Sequence, residues 1–163
     1  MDPNLEIPII HKIAFGYSSS FGEEGLVFNL DVMYAETENP YYIRDLMYTF
    51  SGDTFNGFPQ YDSSGRVNRG QDWMLTNSDK RPRDLTYSTS FSKEWFDQSL
   101  SISLGYAKNV SENVAPMSSS VAFTNATNYA TFNIQDPERG ISRFNIPERV
   151  TATLSWTPIT IEG

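Results

Sequence analysis

From Arg83 to Ser92 the chain alternates: Leu85, Tyr87, Thr89 and Phe91 occupy one set of positions, and Thr86, Ser88, Ser90 and Ser92 the other. A period of two predicts a β-strand whose sheet is apolar on one side and wet on the other. The pattern returns four more times. Ile13, Phe15, Tyr17 and Phe21 stand against Ala14, Gly16, Ser18 and Ser20, and Leu26, Phe28, Leu30, Val32 and Tyr34 against Val27, Asn29, Asp31 and Met33. Leu100, Ile102, Leu104 and Tyr106 stand against Ser101, Ser103, Gly105 and Ala107, and Val150, Ala152, Leu154 and Trp156 against Thr151, Thr153 and Ser155. Strands are therefore expected near 8–21, 25–36, 83–94, 98–109 and 147–157.

The connections alternate as well. Phe21-Gly22-Glu23-Glu24-Gly25 and Trp95-Phe96-Asp97-Gln98 suit tight hairpin turns. The other two, near 37–82 and 110–146, are long and rich in Asn, Ser, Asp, Pro and Gly. Loops of that length in a compact domain tend to carry function. Short, long, short, long places both long loops at one end of the sheet. This is the signature of an antiparallel transmembrane β-barrel segment of about five to six meandering strands, with short periplasmic turns and long extracellular loops. The hydroxyl-bearing face would line a wet lumen, and the outward face would meet lipid while every backbone group pairs with a neighbouring strand. Tyr17, Phe21, Tyr34, Trp95, Phe96 and Trp156 gather near strand ends, where amphipathic rings suit the headgroup level. Asn29 and Asp31 fix the register, because an Asp turned towards lipid costs several kcal/mol. The competing reading is a soluble antiparallel sheet with one face on a core, as in an extracellular β-sandwich for adhesion or carbohydrate binding.

Composition sharpens this. Of 163 residues 39% are hydrophobic, and Phe (11) and Tyr (9) supply much of that share. Such aromatic-rich, aliphatic-poor content favours strands and interfacial surfaces over a packed helical core. The net charge of −8, with scattered Lys and Arg, argues against a nucleic-acid surface. The absence of cysteine removes disulfides, thiolate metal sites and a Cys nucleophile. A single histidine, His11, gives no basis for a catalytic triad or a zinc site. Asp53, Asp62, Asp72 and Asp79 lie in the first long loop without the spacing of a calcium-binding loop. No catalytic residue, cofactor or metal is expected. The candidate ligand contacts are the loop aromatics Tyr41, Tyr42, Phe55, Phe58, Tyr61 and Trp73. Planar side chains on loops form sugar- or peptide-binding surfaces, or they pack the loops onto one another.

Several segments in order look familiar. Asp2-Pro3-Asn4-Leu5-Glu6-Ile7-Pro8-Ile9-Ile10-His11-Lys12-Ile13-Ala14-Phe15-Gly16-Tyr17, followed by Gly25-Leu26-Val27-Phe28-Asn29-Leu30-Asp31-Val32-Met33-Tyr34, resembles a barrel hairpin of TonB-dependent outer-membrane receptors of the Oar-like group. Asn39-Pro40-Tyr41-Tyr42-Ile43-Arg44-Asp45-Leu46 resembles that group's loop after the rising strand, and Met74-Leu75-Thr76-Asn77-Ser78-Asp79-Lys80 its "L-T-N" approach to the next strand. Ser118-Ser119-Ser120-Val121-Ala122, with Asn128-Tyr129, resembles a Ser-Ala-rich loop before a closing "S-x-[FY]-x-x-P-x-R-V" strand, here Ser142-Arg143-Phe144-Asn145-Ile146-Pro147-Glu148-Arg149-Val150.

The resemblance implies a bacterial outer-membrane location and nutrient uptake. The implied partners are the lipid bilayer, the remaining barrel and plug of a parent receptor, an energising periplasmic protein acting through that plug, and a small-molecule or peptide ligand. Such receptors have an N-terminal plug and a C-terminal strand with a terminal aromatic, and this sequence matches neither. The chain is accordingly expected to be a middle-to-late slice of a large barrel, since five strands cannot close around a plug.

Overall fold

The computed structural model describes residues 2–22, 25–64, 72–95 and 99–157. Glu23 and Glu24 of the first expected turn lie outside the described residues, as do Phe96, Asp97 and Gln98 of the second. Among the described residues the chain is all-β apart from one short helix, and it divides into two compact units. One unit comprises Met1–His11, Glu36–Arg83 and Glu112–Arg143; the other comprises Lys12–Ala35, Asp84–Ser111 and Phe144–Gly163.

The second unit is a sheet. Its strands belong to β1 (Ile9–Phe21), β2 (Leu26–Glu38), β7 (Arg83–Trp95), β8 (Leu100–Asn113) and β10 (Glu148–Trp156), in the order β1-β2-β7-β8-β10. The first four run 13 or 14 residues, about twice the usual strand length. Ser18 Oγ donates to Asn29 Oδ1 at 2.7 Å, and Gly16 sits beside Asp31. The contacts step in opposite directions along β1 and β2, which is antiparallel pairing. Asn29 Nδ2 in turn donates to Ser90 Oγ at 3.2 Å, carrying the same small polar face onto β7. Ser90 pairs with Gly105, and Gly105 with Thr151, so that face continues across β8 and β10. A concavity of about 270 Å³ lies on it, lined by Asp31, Ser88, Ser90, Gly105, Ala107, Arg149 and Thr151 among others.

The opposite face is apolar and uncovered. Phe28 packs against Phe91, with ring centroids 4.8 Å apart, and Phe91 stands opposite Leu104, which stands opposite Ala152. Ile13 is 73% exposed, Leu104 52%, Val150 76% and Trp156 72%. Among the described residues, the only buried hydrophobic side chain of this unit is Ala35. A sheet with so large a bare patch has no core of its own. Charges bound the patch along the strands: Lys93 lies over the Trp95 ring, and Lys108 and Glu148 face each other at 3.9 Å. Long stems keep such heads in water while covering apolar surface. The sheet is open: β1 and β10 end the strand order, and no closed barrel forms from these strands. No helix among the described residues is long and apolar enough to cross a membrane.

The first unit is more ordered than a loop reading of 37–82 and 110–146 foresees. Within those stretches stand β3 (Tyr41–Asp45), β4 (Tyr48–Phe55), β5 (Phe58–Ser63), β6 (Trp73–Asn77), α1 (Ala122–Thr127) and β9 (Gly140–Ile141). β3 pairs with β6, β4 with β5, and β9 with the end of β8. Asn56 and Gly57 both take positive φ, 50° and 83°, which is what a two-residue turn needs to join twisted strands. A small core gathers Tyr42, Ile43, Val114 and Ala126, with Pro137 fully buried. The N-terminal arm docks on the end of β6. Asp2 N–H donates to the Leu75 carbonyl at 3.1 Å, Thr76 Oγ1 donates to the Asp2 carboxylate, and the Asn77 side chain bonds both Glu6 N–H (2.7 Å) and the Glu6 carbonyl (2.9 Å). The Leu75-Thr76-Asn77 triplet is thus a clamp on the arm.

Candidate ligand pocket

A cavity of about 510 Å³ opens in the first unit, lined by Ile43, Asp45, Met47, Tyr48, Trp73, Phe123, Ala126, Thr127, Tyr129 and Ile134. Its size is that of a small-molecule site. Register accounts for one wall: Asp45 pairs with Trp73, so alternation turns Ile43, Asp45 and Trp73 to one face of the β3–β6 ribbon. Helical spacing accounts for another. Phe123, Ala126 and Thr127 fall at i, i+3 and i+4 on α1 and share one side of the helix. Phe123 meets Trp73 with ring centroids 6.2 Å apart and planes tilted by 56°, a favourable aromatic geometry.

Asp45 is the sole charged residue among the described residues of the lining and is 8% exposed. Its Oδ1 accepts the Met47 N–H at 2.9 Å, closing an Asx turn, and its backbone carbonyl accepts Gln135 Nε2 at 2.6 Å. The segment after α1 is held in place by buried polar groups: Tyr42 Oη donates to the Gln135 carbonyl at 3.1 Å, and the Gln135 N–H bonds the Asn133 side chain at 2.9 Å. Two groups remain unmet. Tyr129 Oη and Gln135 Oε1 are buried with no hydrogen-bond partner among the described residues, each at a cost of about 1–3 kcal/mol. Burial, aided by the nearby Tyr42 phenol, pushes the Tyr129 hydroxyl up to about 12, so it is neutral at physiological pH. Tyr129 also lines a second cavity of about 400 Å³ with Asn113, Glu138 and Arg143 among others.

The six loop aromatics separate. Trp73 lines the main pocket. Tyr42 is in the core, and burial raises its phenol. Tyr61 bonds Asn133 through its hydroxyl and packs edge-on against Phe50 at 6.4 Å. Phe58 stacks on Phe132 at 5.4 Å, Phe55 is 67% exposed beside the Asn56-Gly57 turn, and Tyr41 pairs with Asn77. The remaining pocket residues carry no local sign of function: Ile43, Met47 and Ile134 read as ordinary apolar positions, and Phe123 and Tyr129 lie some fifty residues beyond Trp73. The signal that could reveal Phe123 is the i, i+3, i+4 spacing of α1.

His11 sits apart from the pocket lining, its Nε2 3.4 Å from the Glu38 carboxylate. Glu38 also pairs with Arg81, and Glu36 with Arg81 and Arg83. These pairs are partly exposed, and each contributes little to stability. Among the described residues no group of three or more His, Asp or Glu could hold a metal ion.

No family model, curated protein or solved structure matches the chain.

Proposed function

We propose that this chain supplies wall strands and extracellular loops to a TonB-dependent receptor of the bacterial outer membrane, which takes up scarce nutrients. The observation that carries the reading is the sheet of the second unit, whose aromatic and aliphatic face is bare while its other face holds Ser, Thr, Gly, Asn29, Asp31 and Arg149. Lipid on the first face and a wet lumen on the second satisfy both at once. The length of the strands agrees, since crossing a bilayer takes about 9–11 tilted residues. The resemblance of the ordered motifs to the Oar-like group supports the assignment to this class.

In this role the partners are the bilayer, the rest of the barrel, its plug, and a periplasmic protein that delivers energy through the plug. The first unit forms the ligand-selecting extracellular part, and its ligand is a small molecule or peptide. The chain carries out no covalent chemistry.

The test is the solvent in which the chain folds. Purified chain is transferred from denaturant into plain buffer, detergent micelles or lipid vesicles, and sheet content is followed by circular dichroism. Folding and protease protection only with detergent or lipid are expected. A monodisperse species in plain buffer with a sharp thermal transition overturns the proposal, and leaves the soluble β-sandwich for adhesion or carbohydrate binding.

A further inference from the structure

We infer that the 510 Å³ pocket of the first unit binds an organic cation: a primary or substituted ammonium group carried on an apolar, preferably aromatic, body. Three features of the lining specify this chemistry. First, the single charge among the described lining residues is the Asp45 carboxylate, which is buried and engages the Met47 N–H through one oxygen. A carboxylate withdrawn from water attracts a cation far more strongly than one on the surface. Second, Tyr48, Trp73, Phe123 and Tyr129 surround the space with ring surface, and the faces of Trp and Tyr attract ammonium groups while their area takes up an apolar body. Third, burial keeps the Tyr129 phenol neutral, so that ring adds apolar surface and no second charge to the lining.

An anion is disfavoured, because among the described residues no Lys or Arg lines the cavity and the chain carries a net charge of −8. A purely apolar compound would leave the carboxylate buried without a counter-charge. The ligand class follows from one unit alone. It rests on the receptor reading only for what becomes of the compound after capture; binding is measured apart from insertion into lipid.

The probe is 2-phenylethylamine, protonated at neutral pH, with 2-phenylethanol as its neutral counterpart of the same shape. Both are titrated by calorimetry into the full chain, folded in whichever medium holds it. Saturable binding of the amine is expected, with the alcohol weaker by about tenfold or more. Asp45→Asn should remove that preference, bringing amine and alcohol to similar affinity. Because Asp45 also closes a turn, Phe123→Leu is the companion variant: its side chain is 46% exposed, it holds no hydrogen bond of the turn, and it should weaken the amine several-fold with unchanged circular dichroism. Equal binding of amine and alcohol by the unaltered chain, or no saturable binding of either, overturns the inference even if the chain inserts into lipid. Amine-selective binding upholds it even if the chain folds in plain buffer.

Discussion

Gly105 and Thr151 face each other across the β8–β10 pairing, and the Thr151 hydroxyl stands 2.6 Å from where a Cβ on Gly105 would be. The glycine is a spacing device on the small polar face. Gly105→Ala should destabilise the sheet by about 1–3 kcal/mol, the usual range for overpacking a fitted contact. Thr151→Ala removes the obstructing atom and should recover most of that loss in the double variant, a coupling that equilibrium denaturation of the four-member cycle measures. Additive losses would mean the two side chains do not meet.

The β4–β5 hairpin depends on backbone conformations that side chains resist. Gly57→Ala, at φ 83°, should cost about 1–2 kcal/mol, and Asn56→Val a similar amount, because a β-branched residue tolerates φ 50° poorly. Amide hydrogen exchange across Tyr48–Phe55 and Phe58–Ser63 should accelerate in either variant while exchange in β8 stays unchanged. Loss of protection in both places would tie the hairpin to the stability of the whole chain.

The five long strands are legible in the sequence because their signal is local: a period of two survives from Leu85 to Phe91 without reference to any other part of the chain. The sides follow from the same signal, and the bonds among Ser18, Asn29 and Ser90 lie on the face that Asn29 and Asp31 indicate. The first unit is harder to read. β3 and β6 are five residues each and pair Tyr41 with Asn77, so neither makes sense without the other. The Asn56-Gly57 pair does announce a hairpin, but flanking Ser, Asp and Pro residues dilute the alternation around it. The pocket is legible only through Trp73, since its other walls come from positions brought together by folding. An unpartnered hydroxyl such as Tyr129 Oη has no sequence signature at all, because the defining property is what its surroundings lack.

Tyr129 gives a signed pH dependence. Its phenol titrates near 12 in the folded chain against 10 unperturbed, mainly because burial disfavours the phenolate. Folded and unfolded states are both protonated below pH about 10, and the hydroxyl contributes no slope there. As pH rises from about 10 to 12 the unfolded state loses the proton first, so stability falls across that window and levels off above it. Tyr129→Phe should flatten this component of the alkaline decline. It should also raise stability at neutral pH by about 1 kcal/mol, because the unmet hydroxyl disappears. Denaturant midpoints measured from pH 8 upward, together with phenolate absorbance, provide the check; an unchanged alkaline slope in the variant would assign the decline to other groups.

Leu104 and Ser103 are neighbours in β8 that alternation sends to opposite faces, and the same change at each should have unequal effects. Leu104 is paired with Phe91 and Ala152 on the apolar side, while Ser103 is paired with Ser92 and Thr153 on the hydroxyl side. If lipid covers the apolar side, Leu104→Arg should lower folding stability in vesicles by about 2–4 kcal/mol, the cost of a cation near the bilayer midplane, and Ser103→Arg by much less. Truncation discriminates further. Leu104→Ala leaves methyl groups of lipid to fill the gap and should impair folding only mildly, whereas in a sealed protein core the same truncation costs about 2–5 kcal/mol. Folding titrations in lipid for the four chains therefore yield two independent contrasts. Comparable losses for Leu104→Arg and Ser103→Arg, with a large loss for Leu104→Ala, would place protein rather than lipid against the face that Ile13, Phe91, Leu104 and Trp156 share.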